Sequence, residues 1–476
     1  EIISVMVFFI GRDIGFSQRH FDDTKCQFVP EYFFEKAQGM HRSVVEISSI
    51  RNDIMKFAPT GQINKSPAMK RAISEAFKAF ATQQVRPIHL NDLPKNGLEV
   101  AQRSPGLPWI NLGYKTKESV YQDVDAFNSI RRYWHYVKEG KNISSPDCAA
   151  FLRSHVVEEG EEKVRAIWGY PATISFGESC FALPLIAEFK KGRNHIAYGY
   201  ETARGGCRKL INKFSPYPHF LCADMKSFDK SCPSWLIMVA FEILKQNIDF
   251  TKYAEEGIPT PYKLERAWDH IVWYFIRTPI RLCNGERYRK WGGVASGSYF
   301  TQMVDSIINF IIMRFALHSQ SVKIFEDMYL GDDSLIATSS EVDIEQLCQD
   351  LSSIGFTVNR KKTSQTTRTW EIEFLGYRLS NGWPERDSKL LWTSLLYPES
   401  PDLNASHFVA RVQGLLISNY MFDEEFDRTC RAIVRAAESM GVRPEMSRST
   451  DRWCSLMGIS NISAISQLDC LIMVYS

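Results

Sequence analysis

Several common catalytic and cofactor signatures are absent from this 476-residue sequence. It has no GxxxxGK[ST] loop and no GxGxxG turn, which excludes the usual P-loop and dinucleotide-binding sites. It has no HExxH and no paired histidine spacing, so a zinc site is not expected. No internal repeat is visible, which argues against a solenoid or a propeller.

A strong net charge and a disulfide framework are absent as well. The net charge is only +2, so any surface that binds nucleic acid must be a local one. The 11 cysteines form no CxxC pair. This pattern is typical of reduced thiols in a cytosolic setting.

No apolar run is long enough to predict a membrane span. The segment "IISVMVFFI" (2–10) is too short to cross a bilayer, and we expect a buried strand there, with a truncated signal peptide as the alternative. The first residue is Glu, so we expect the native start to lie upstream.

The composition is that of a folded protein with more than one subdomain. Hydrophobic residues make up 44%, charged residues 24% and aromatic residues 13% of the chain, which argues against disorder. A chain of this length is too long for one simple core, and two or three subdomains are expected.

The second half of the chain alternates strand and helix patterns. An apolar strand from about residue 220 leads to Asp224, and residues 250–290 look irregular and polar. Periodicity predicts helices at 235–247, 304–318 and 342–356, hairpins at 328–337 and 370–382, and a mostly helical remainder. This order predicts an α+β fold with a small antiparallel sheet and helices on one face.

Two carboxylates lie side by side in "MYLGDDSLIA" (328–337). Gly331 can adopt the positive φ of a tight hairpin, which puts Asp332 and Asp333 at its tip, although a solvated turn explains the segment equally well. Asp224 ends another strand, and Asp229 follows it. Carboxylates on converging strand ends are what paired Mg²⁺ ions need for phosphoryl transfer, and the cations would remove the repulsion between the acids.

A loop of small residues, "GGVASGSYFTQMVDSIIN" (292–309), lies between these acids in the sequence. Ser296 and Gly297 leave the backbone open to a ligand. Thr301, Asp305 and Asn309 follow on roughly one helix face. Taken alone, the segment is better explained as an ordinary Gly/Ser loop with an N-cap.

Two basic residues alternate in "KVRAIWGYP" (163–171). On a strand, Lys163 and Arg165 would point to one side, where they could hold phosphate oxygens. Alone, they would be a surface pair that neutralises the glutamates at 158–162.

Together these motifs resemble the palm of viral RNA-dependent RNA polymerases: Asp-x4-Asp, then Ser-Gly-x3-Thr, then Gly-Asp-Asp. "GGVASGSYFTQMVDSIIN" and "YLGDDSL" resemble the polymerases of partitiviruses, which have segmented double-stranded RNA genomes. "KVRAIWGYP" resembles their basic fingers motif, "RSPGLPW" (103–109) the loop at which the template enters, "FLGYRLSNG" (374–382) the primer-grip hairpin and "RVQGLLISNY" (411–420) a thumb helix. The first ninety residues carry no motif that we can place.

The resemblance implies a right-hand polymerase fold. We expect an N-terminal region and fingers in residues 1–215, a palm in 216–385 with a fingers-type insertion at about 250–290, and a helical thumb in 386–476. The implied substrates are nucleoside triphosphates and an RNA template, with RNA as product. The resemblance further implies a coat protein partner, no membrane, and a location inside the virion in the host cytoplasm.

The resemblance also assigns the catalytic roles. Asp224 and Asp332 would bridge two Mg²⁺ (or Mn²⁺) ions, with Asp333 supporting the second ion. Lys362 of "NRKKT" (359–363) matches the lysine near the leaving pyrophosphate, where a general acid would ease departure; Lys361 is an equally simple choice.

The substrate contacts are carried over in the same way. Asp229 would sense the ribose 2′-hydroxyl together with a Ser and an Asn of the following motif. The position of that Asn holds Asp305 here, and Asn309 lies one turn further, so both stay open. The resemblance implies nucleotide contacts at Lys163, Arg165, Asp229, Ser296, Gly297, Thr301 and Asn309, and RNA contacts at Ser104, Gly106 and Pro108.

Two other functions fit parts of the pattern. A reverse transcriptase palm also presents two metal-binding aspartates, but "LGDD" and Asp229 both favour an enzyme that uses ribonucleotides. A catalytically inactive, virus-derived protein retained for RNA binding is the other alternative. The presence of every expected acidic ligand argues against it.

Overall fold

The computed structural model describes residues 7–12, 15, 25–57, 62–96, 101–192, 194–200, 205–447, 450, 454 and 466–475. Helices and strands are interleaved along these ranges. The mixed architecture confirms the predicted combination of helices with sheets. All 11 cysteines are free thiols, as the lack of a disulfide framework predicts.

The helices are α1 Ile47–Met55, α2 Pro67–Ala79, α3 Lys117–Gln122, α4 Val124–Lys138, α5 Ala172–Phe189, α6 Gly206–Phe214, α7 Phe228–Ser231, α8 Ser234–Lys245, α9 Pro261–Ile276, α10 Thr301–Ser319, α11 Ile344–Ser353, α12 Ser388–Leu396, α13 Ala405–Asn419, α14 Glu424–Ser439 and α15 Gln467–Tyr475. Short 3₁₀ helices occur at Glu31–Ala37, Leu90–Asn96 and Thr369–Glu371.

The strands are β1 Val7–Arg12, β2 Met40–Arg42, β3 Cys148–Ser154, β4 Val156–Glu158, β5 Val164–Gly169, β6 His219–Ala223, β7 Met225–Lys226, β8 Pro279–Arg281, β9 Glu286–Lys290, β10 Ile324–Leu330, β11 Asp333–Thr338, β12 Thr357–Val358, β13 Ser364–Thr366, β14 Glu373–Phe374, β15 Tyr377–Ser380 and β16 Trp383–Glu385.

A four-stranded antiparallel sheet carries the acidic motifs. Its order is β10-β11-β6-β13, and Ser334 of β11 pairs with Ala223 of β6. The predicted strand before Asp224 and the predicted GDD hairpin are therefore adjacent in one sheet. The predicted hairpin at 370–382 contributes β14 and β15 to a separate sheet, which β16 completes.

Helix α10 lies at the centre of the core. It begins at Thr301 and ends at Ser319, and it is buried on nearly all sides, as an apolar helix without a polar face should be. It packs against β10, α8, α11 and the N-terminal helix α2. The first ninety residues, which carry no recognised motif, thus support the helix that borders the acidic hairpin.

A second sheet, of five strands, joins distant parts of the chain in the order β1-β9-β8-β3-β5. Its hairpin β8-β9 and the sixteen-residue helix α9 come from residues 250–290, so the prediction of an irregular segment there is wrong. The buried apolar residues of α9 recur at helical spacing, so the sequence does carry the signal for this helix: Leu264, Ala267, Trp268, Ile271, Tyr274 and Phe275. The predicted strand in 2–10 exists as β1, but it is an edge strand with Phe9 55% exposed, and residues 1–6 lie outside the described part.

The N-terminal segment also contacts the C-terminal helices. The Cys26 amide donates to the Leu396 carbonyl at 2.8 Å, and the 3₁₀ helix Glu31–Ala37 packs against α12. Arg42 donates to the carbonyl oxygens of Ser154 and Tyr397. These contacts tie β3 to the end of α12 through residues 25–42.

Within the described part of the chain, one helix, α5, is long and apolar enough to cross a bilayer by length and composition alone. In this structure 72% of that helix is buried inside the protein. It packs against the 3₁₀ helix Leu90–Asn96, α4 and α9. Packing of this kind is that of a core helix.

A buried charge network links α2, α10 and β10. The Arg314 guanidinium donates two hydrogen bonds to the Asp327 carboxylate, both at 3.0 Å, and Asp327 is fully buried. His195 Nδ1 lies 2.6 Å from the same carboxylate, and Glu75 of α2 lies 3.3 Å from Arg314. The network fixes the end of α10 that lies opposite the acidic motifs.

We expect Arg314→Met to destabilise the protein by about 3 kcal/mol, because it leaves the buried Asp327 carboxylate with fewer partners. A lower urea midpoint in circular dichroism would show this. Arg71→Met removes an exposed partner of Glu75, 67% exposed, and should change stability by less than about 0.5 kcal/mol. Equal midpoints for the two variants would contradict the structural importance of the pair.

Candidate active site

Asp224 comes directly after β6 and is held by the segment that follows β12. The Asn359 side-chain amide donates to Asp224 Oδ1 at 2.9 Å, and the Asn359 backbone amide donates to the Asp224 carbonyl at 2.9 Å. The Asp224 amide donates to Thr363 Oγ1 at 3.2 Å. The carboxylate therefore has a fixed position with one oxygen already oriented.

Asp332 and Asp333 lie at the tip of the β10-β11 hairpin. Leu330 pairs with Asp333, and only Gly331 and Asp332 lie between them. Gly331 has φ of +65°, the positive angle that a two-residue hairpin turn requires at this position. Because Ser334 pairs with Ala223, the next residues along each strand, Asp333 and Asp224, face each other across the sheet.

The acids perturb one another's ionisation. Burial, followed by the charges of Asp332 and Asp224, raises the pKa of Asp333 to about 7, and Lys362 opposes this shift. Burial and the charges of Asp224 and Asp229 raise the pKa of Asp332, and Arg165 opposes that shift. The predicted carboxylates are thus brought together, with three of the predicted basic residues around them.

Helix α10 holds the hairpin tip through two side chains. Ser306 Oγ accepts from the Gly331 amide at 2.9 Å. The Asn309 amide donates to the Gly331 carbonyl at 3.0 Å and to the Asp333 carbonyl at 3.4 Å, and Asn309 is fully buried. The Asn309 amide thus orients the acidic turn, and the nucleotide contact at Asn309 stays a prediction.

Asp305 is the other residue that the sequence left open for the ribose motif. It is 7% exposed, and the Cys232 thiol lies 4.0 Å from its Oδ1. Burial and the charges of Asp229 and Asp332 raise the pKa of Asp305 well above its ordinary value. Of the two residues left open by the sequence, Asp305 is therefore the one whose charge interacts with Asp229.

The loop before α10 is fastened to the basic strand β5. A Cβ at Gly297 would lie 1.8 Å from the Trp168 carbonyl oxygen, so only glycine fits there. Ser296 is exposed, and its Oγ accepts from the Trp168 amide at 3.3 Å. The Thr301 hydroxyl donates to the Ala295 carbonyl at 2.6 Å, which closes the loop onto the start of the helix.

A buried glutamate of α5 holds the same loop from behind. The Ser298 hydroxyl donates to one oxygen of Glu178 at 2.8 Å, and the Tyr299 amide donates to the other at 2.9 Å. Burial raises the pKa of Glu178 to about 8. Sequence reasoning missed Glu178 and Ser306; a lone acid inside the apolar run of α5 is the signal that could have found Glu178.

Lys163, Arg165 and Lys362 are all exposed around the acids. Partial burial and the charges of Arg165 and Lys362 lower the pKa of Lys163. Lys362 borders the same groove as Asp224 and Asp333. Arg360, two residues before Lys362, pairs with Glu345 and not with the acids. Of the two lysines left open, Lys362 is the one whose charge opposes the raised pKa of Asp333 and which borders the groove with Asp224 and Asp333.

Most of the loop "RSPGLPW" packs inside the protein, and little of it is exposed to contact RNA. Gly106 is buried with φ of +66°, and a Cβ there would lie 2.7 Å from the Pro171 backbone. The Ser104 carbonyl accepts from the buried Lys117 ammonium at 2.7 Å. Of the three predicted RNA contacts only Pro108 is exposed, so an RNA contact at Gly106 does not fit its burial.

A groove of about 850 Å³ opens from the acids toward the C-terminal helices. Both Asp224 and Asp333 line it, together with Lys362, Tyr377, Arg386 and Phe422. The "FLGYRLSNG" hairpin forms one wall, and the starts of α12 and α14 form another.

A second cluster, His195, Glu326 and Asp327, offers three possible metal-ligand atoms within 4.8 Å of one another. Its buried carboxylate, Asp327, already accepts from Arg314, His195 and the Tyr329 hydroxyl. Glu326 pairs with Lys213 at 3.1 Å. Because cationic partners already balance these acids, the cluster acts as an internal charge network and we assign no metal to it.

We expect Glu178→Gln to change how stability depends on pH. Burial raises the pKa of the Glu178 carboxyl from the ordinary 4.5 to about 8 in the folded protein. The folded state therefore binds the extra proton and loses stability as pH rises through this window. Between pH 5 and 8 the parent should lose on the order of 3 kcal/mol relative to the glutamine variant. Melting temperatures at both pH values, with Glu188→Gln as control, measure this; a pH-independent difference would refute it.

Comparison with known proteins agrees with this geometry. The family model for viral RNA-dependent RNA polymerase matches residues 17–435. The RNA-directed RNA polymerase of Cryptosporidium parvum virus 1 (strain KSU-1) is 28% identical over 342 residues, which cover 66% of this chain and 62% of that relative. That of Atkinsonella hypoxylon virus (isolate 2H) is 27% identical over 336 residues, 59% of this chain and 49% of the relative.

A third relative, the RNA-directed RNA polymerase of White clover cryptic virus 1 (isolate Boccardo/2004), is 25% identical over 333 residues, 60% of this chain and 53% of the relative. The chain thus spans about half to three fifths of the length of these curated relatives. The resemblance to partitivirus polymerases read from the motifs is confirmed. The chain belongs to the viral RNA-dependent RNA polymerase family.

Proposed function

We propose that this chain synthesises RNA on an RNA template from nucleoside triphosphates, with divalent metal ions. The observation that carries the proposal is the facing of Asp224 and the Asp332-Asp333 turn across the β6-β11 pair. The exposed Lys163, Arg165 and Lys362 surround these acids. A cluster of acids ringed by cations suits a substrate with a phosphate chain.

The donor set fits Mg²⁺ or Mn²⁺. Asp224, Asp332 and Asp333 offer hard carboxylate oxygens, which these ions prefer. The raised pKa of Asp333, about 7, reflects burial and the repulsion that a cation would relieve. When bound, the ions would activate the attacking hydroxyl and stabilise the charge of the leaving pyrophosphate.

The chain's own residues then divide the remaining tasks. Lys163 and Arg165 hold the triphosphate on one side of the acids. Asp229 and Ser296 face the ribose, where a 2′-hydroxyl distinguishes ribonucleotides from deoxyribonucleotides. Lys362 gives a proton to the departing pyrophosphate. Ser306 and Asn309 keep the acidic turn in place through the hydrogen bonds described above.

The proposal extends to the arrangement of the subdomains. Residues 1–215 and the β8-β9 hairpin, which share the five-stranded sheet, form the fingers. The sheet β10-β11-β6-β13 is the floor of the palm, and α12 to α14 belong to the thumb. Because the relatives are viral polymerases, the proposal includes a coat protein as partner and a place inside the virion in the host cytoplasm.

Asp332→Ala should abolish template-dependent incorporation of nucleotides, with a loss of at least about a thousandfold, because it removes a carboxylate on which charge stabilisation depends. Incorporation of labelled UTP on a poly(A) template with Mg²⁺ measures this. Glu341→Ala, an exposed acid beyond the end of β11, is the matched control and should keep full activity. Equal activity of the parent and Asp332→Ala would remove Asp332 from the mechanism.

The Mg²⁺ requirement should rise as the pH falls. Asp333 has a pKa of about 7 without a cation, so protons compete with Mg²⁺ below that pH and not above it. Between pH 7.5 and pH 6 the half-saturating Mg²⁺ concentration should rise by about eightfold to tenfold. Mg²⁺ titrations of activity at several pH values measure this; a constant midpoint would contradict a role of Asp333 in holding the ion.

A further inference from the structure

A buried ion pair joins the unassigned N-terminal region to the acidic motif. Lys230 Nζ lies 3.0 Å from Asp53 Oδ1, and the two side chains are only 7% and 4% exposed. Asp53 belongs to α1, within the first ninety residues. Lys230 belongs to α7 and directly follows Asp229.

The second oxygen of Asp53 is used as well. Asp53 Oδ2 accepts a hydrogen bond from the Ala166 amide at 2.8 Å. Ala166 lies on β5, next to Arg165. One carboxylate therefore holds two elements at once, the short helix beside Asp229 and the strand beside Arg165.

Aromatic packing shields the Asp53-Lys230 pair and its contact with β5, which together we call the joint, from water. Phe57, just after α1, packs edge-on against Trp168 of β5 with ring centroids 5.0 Å apart. The Lys230 ammonium lies 5.6 Å from the Phe57 ring centroid. A Cβ on Gly293 would lie 2.6 Å from the same ring. The loop before α10 is thus packed into the same joint.

The metal-binding acids are held by other contacts. Asp224 is oriented by Asn359 and Thr363, and the acidic turn by Ser306 and Asn309. None of these four residues contributes a described bond to Asp53 or Lys230. The joint therefore connects the basic strand with the ribose side of the site, independently of the acids.

We infer that Asp53 and Lys230 are positioning residues that set the spacing between the triphosphate-binding strand β5 and Asp229. Neither residue needs to touch the substrate. A short covalent linkage joins the ribose of a nucleotide to its phosphates and limits the distance between them. Rigid packing between β5 and α7 therefore prepares the phosphate and ribose contacts together. This inference rests on the proposed function and gives the N-terminal region a role in it.

The test must separate positioning from folding, because removing one member of a buried ion pair leaves an unpaired charge. The double variant Asp53→Asn/Lys230→Met removes both charges and keeps an oxygen that can accept from the Ala166 amide. The double variant Asp402→Asn/Arg411→Met is the matched control, because it too removes both charges of a pair. It breaks the mostly buried pair Asp402-Arg411, at 2.7 Å, which lies in the thumb region.

Steady-state kinetics and melting temperatures are measured for the 476-residue parent, the double variant and the control. We expect the double variant to melt close to the parent and to show a KM for UTP raised about tenfold, with kcat changed less than about threefold. Its preference for UTP over dUTP should fall, because Asp229 moves relative to β5. The control should keep the KM and the preference of the parent.

Three results would overturn the inference. An unchanged KM and an unchanged preference in a well-folded double variant would make the pair a fold element only. A large fall in melting temperature with kcat and KM equally impaired would lead to the same conclusion. A parent without template-dependent incorporation would overturn the proposed function, and the inference with it; the first two results leave the proposed function intact.

Discussion

Repulsion between carboxylates is the constraint on which the rest of the site depends. Burial, together with the charges of neighbouring acids at the end of the β6-β11 pair, raises the pKa values of Asp332 and Asp333. Such an arrangement costs free energy in the folded protein unless counter-charges offset it. The surrounding structure holds the acids together against this repulsion. It does so through the sheet register, the hydrogen bonds with Ser306 and Asn309 of α10, and the amide of Asn359.

The same logic explains how the chain is built around the acids. The core helix α10 is buried on almost every side, so its polar residues Ser306 and Asn309 are held in place by packing. The loop before it is fixed by Gly297 against β5 and by Glu178 from α5. Distant segments, including the N-terminal helices α1 and α2, hold β5 and α10 in turn. The polar site is therefore held by rigid apolar packing, and such packing fixes charged groups in position before the substrate binds.

Sequence alone predicted much of this, and physical reasons separate the successes from the failures. The strand before Asp224, the GDD hairpin and helix α10 were predictable because their local patterns are strong and uninterrupted. Helix α9 was missed although its apolar residues recur at helical spacing, so it could have been predicted from the sequence. The Asn309 amide and Glu178 lie far in sequence from the groups they bond, so no local pattern reveals their partners. Motif resemblance implies a nucleotide contact at Asn309, which stays a prediction, and packing adds the bonds from its amide to the hairpin.

The central claim is that the facing acids form a site for divalent cations. Direct measurement of Mn²⁺ binding to the 476-residue chain in the absence of RNA, by electron paramagnetic resonance, tests it most directly. The account predicts Mn²⁺ binding by the parent and at least about tenfold weaker binding by Asp224→Asn, because an amide is a poorer ligand than a carboxylate. Equal Mn²⁺ binding by the parent and the variant would contradict it.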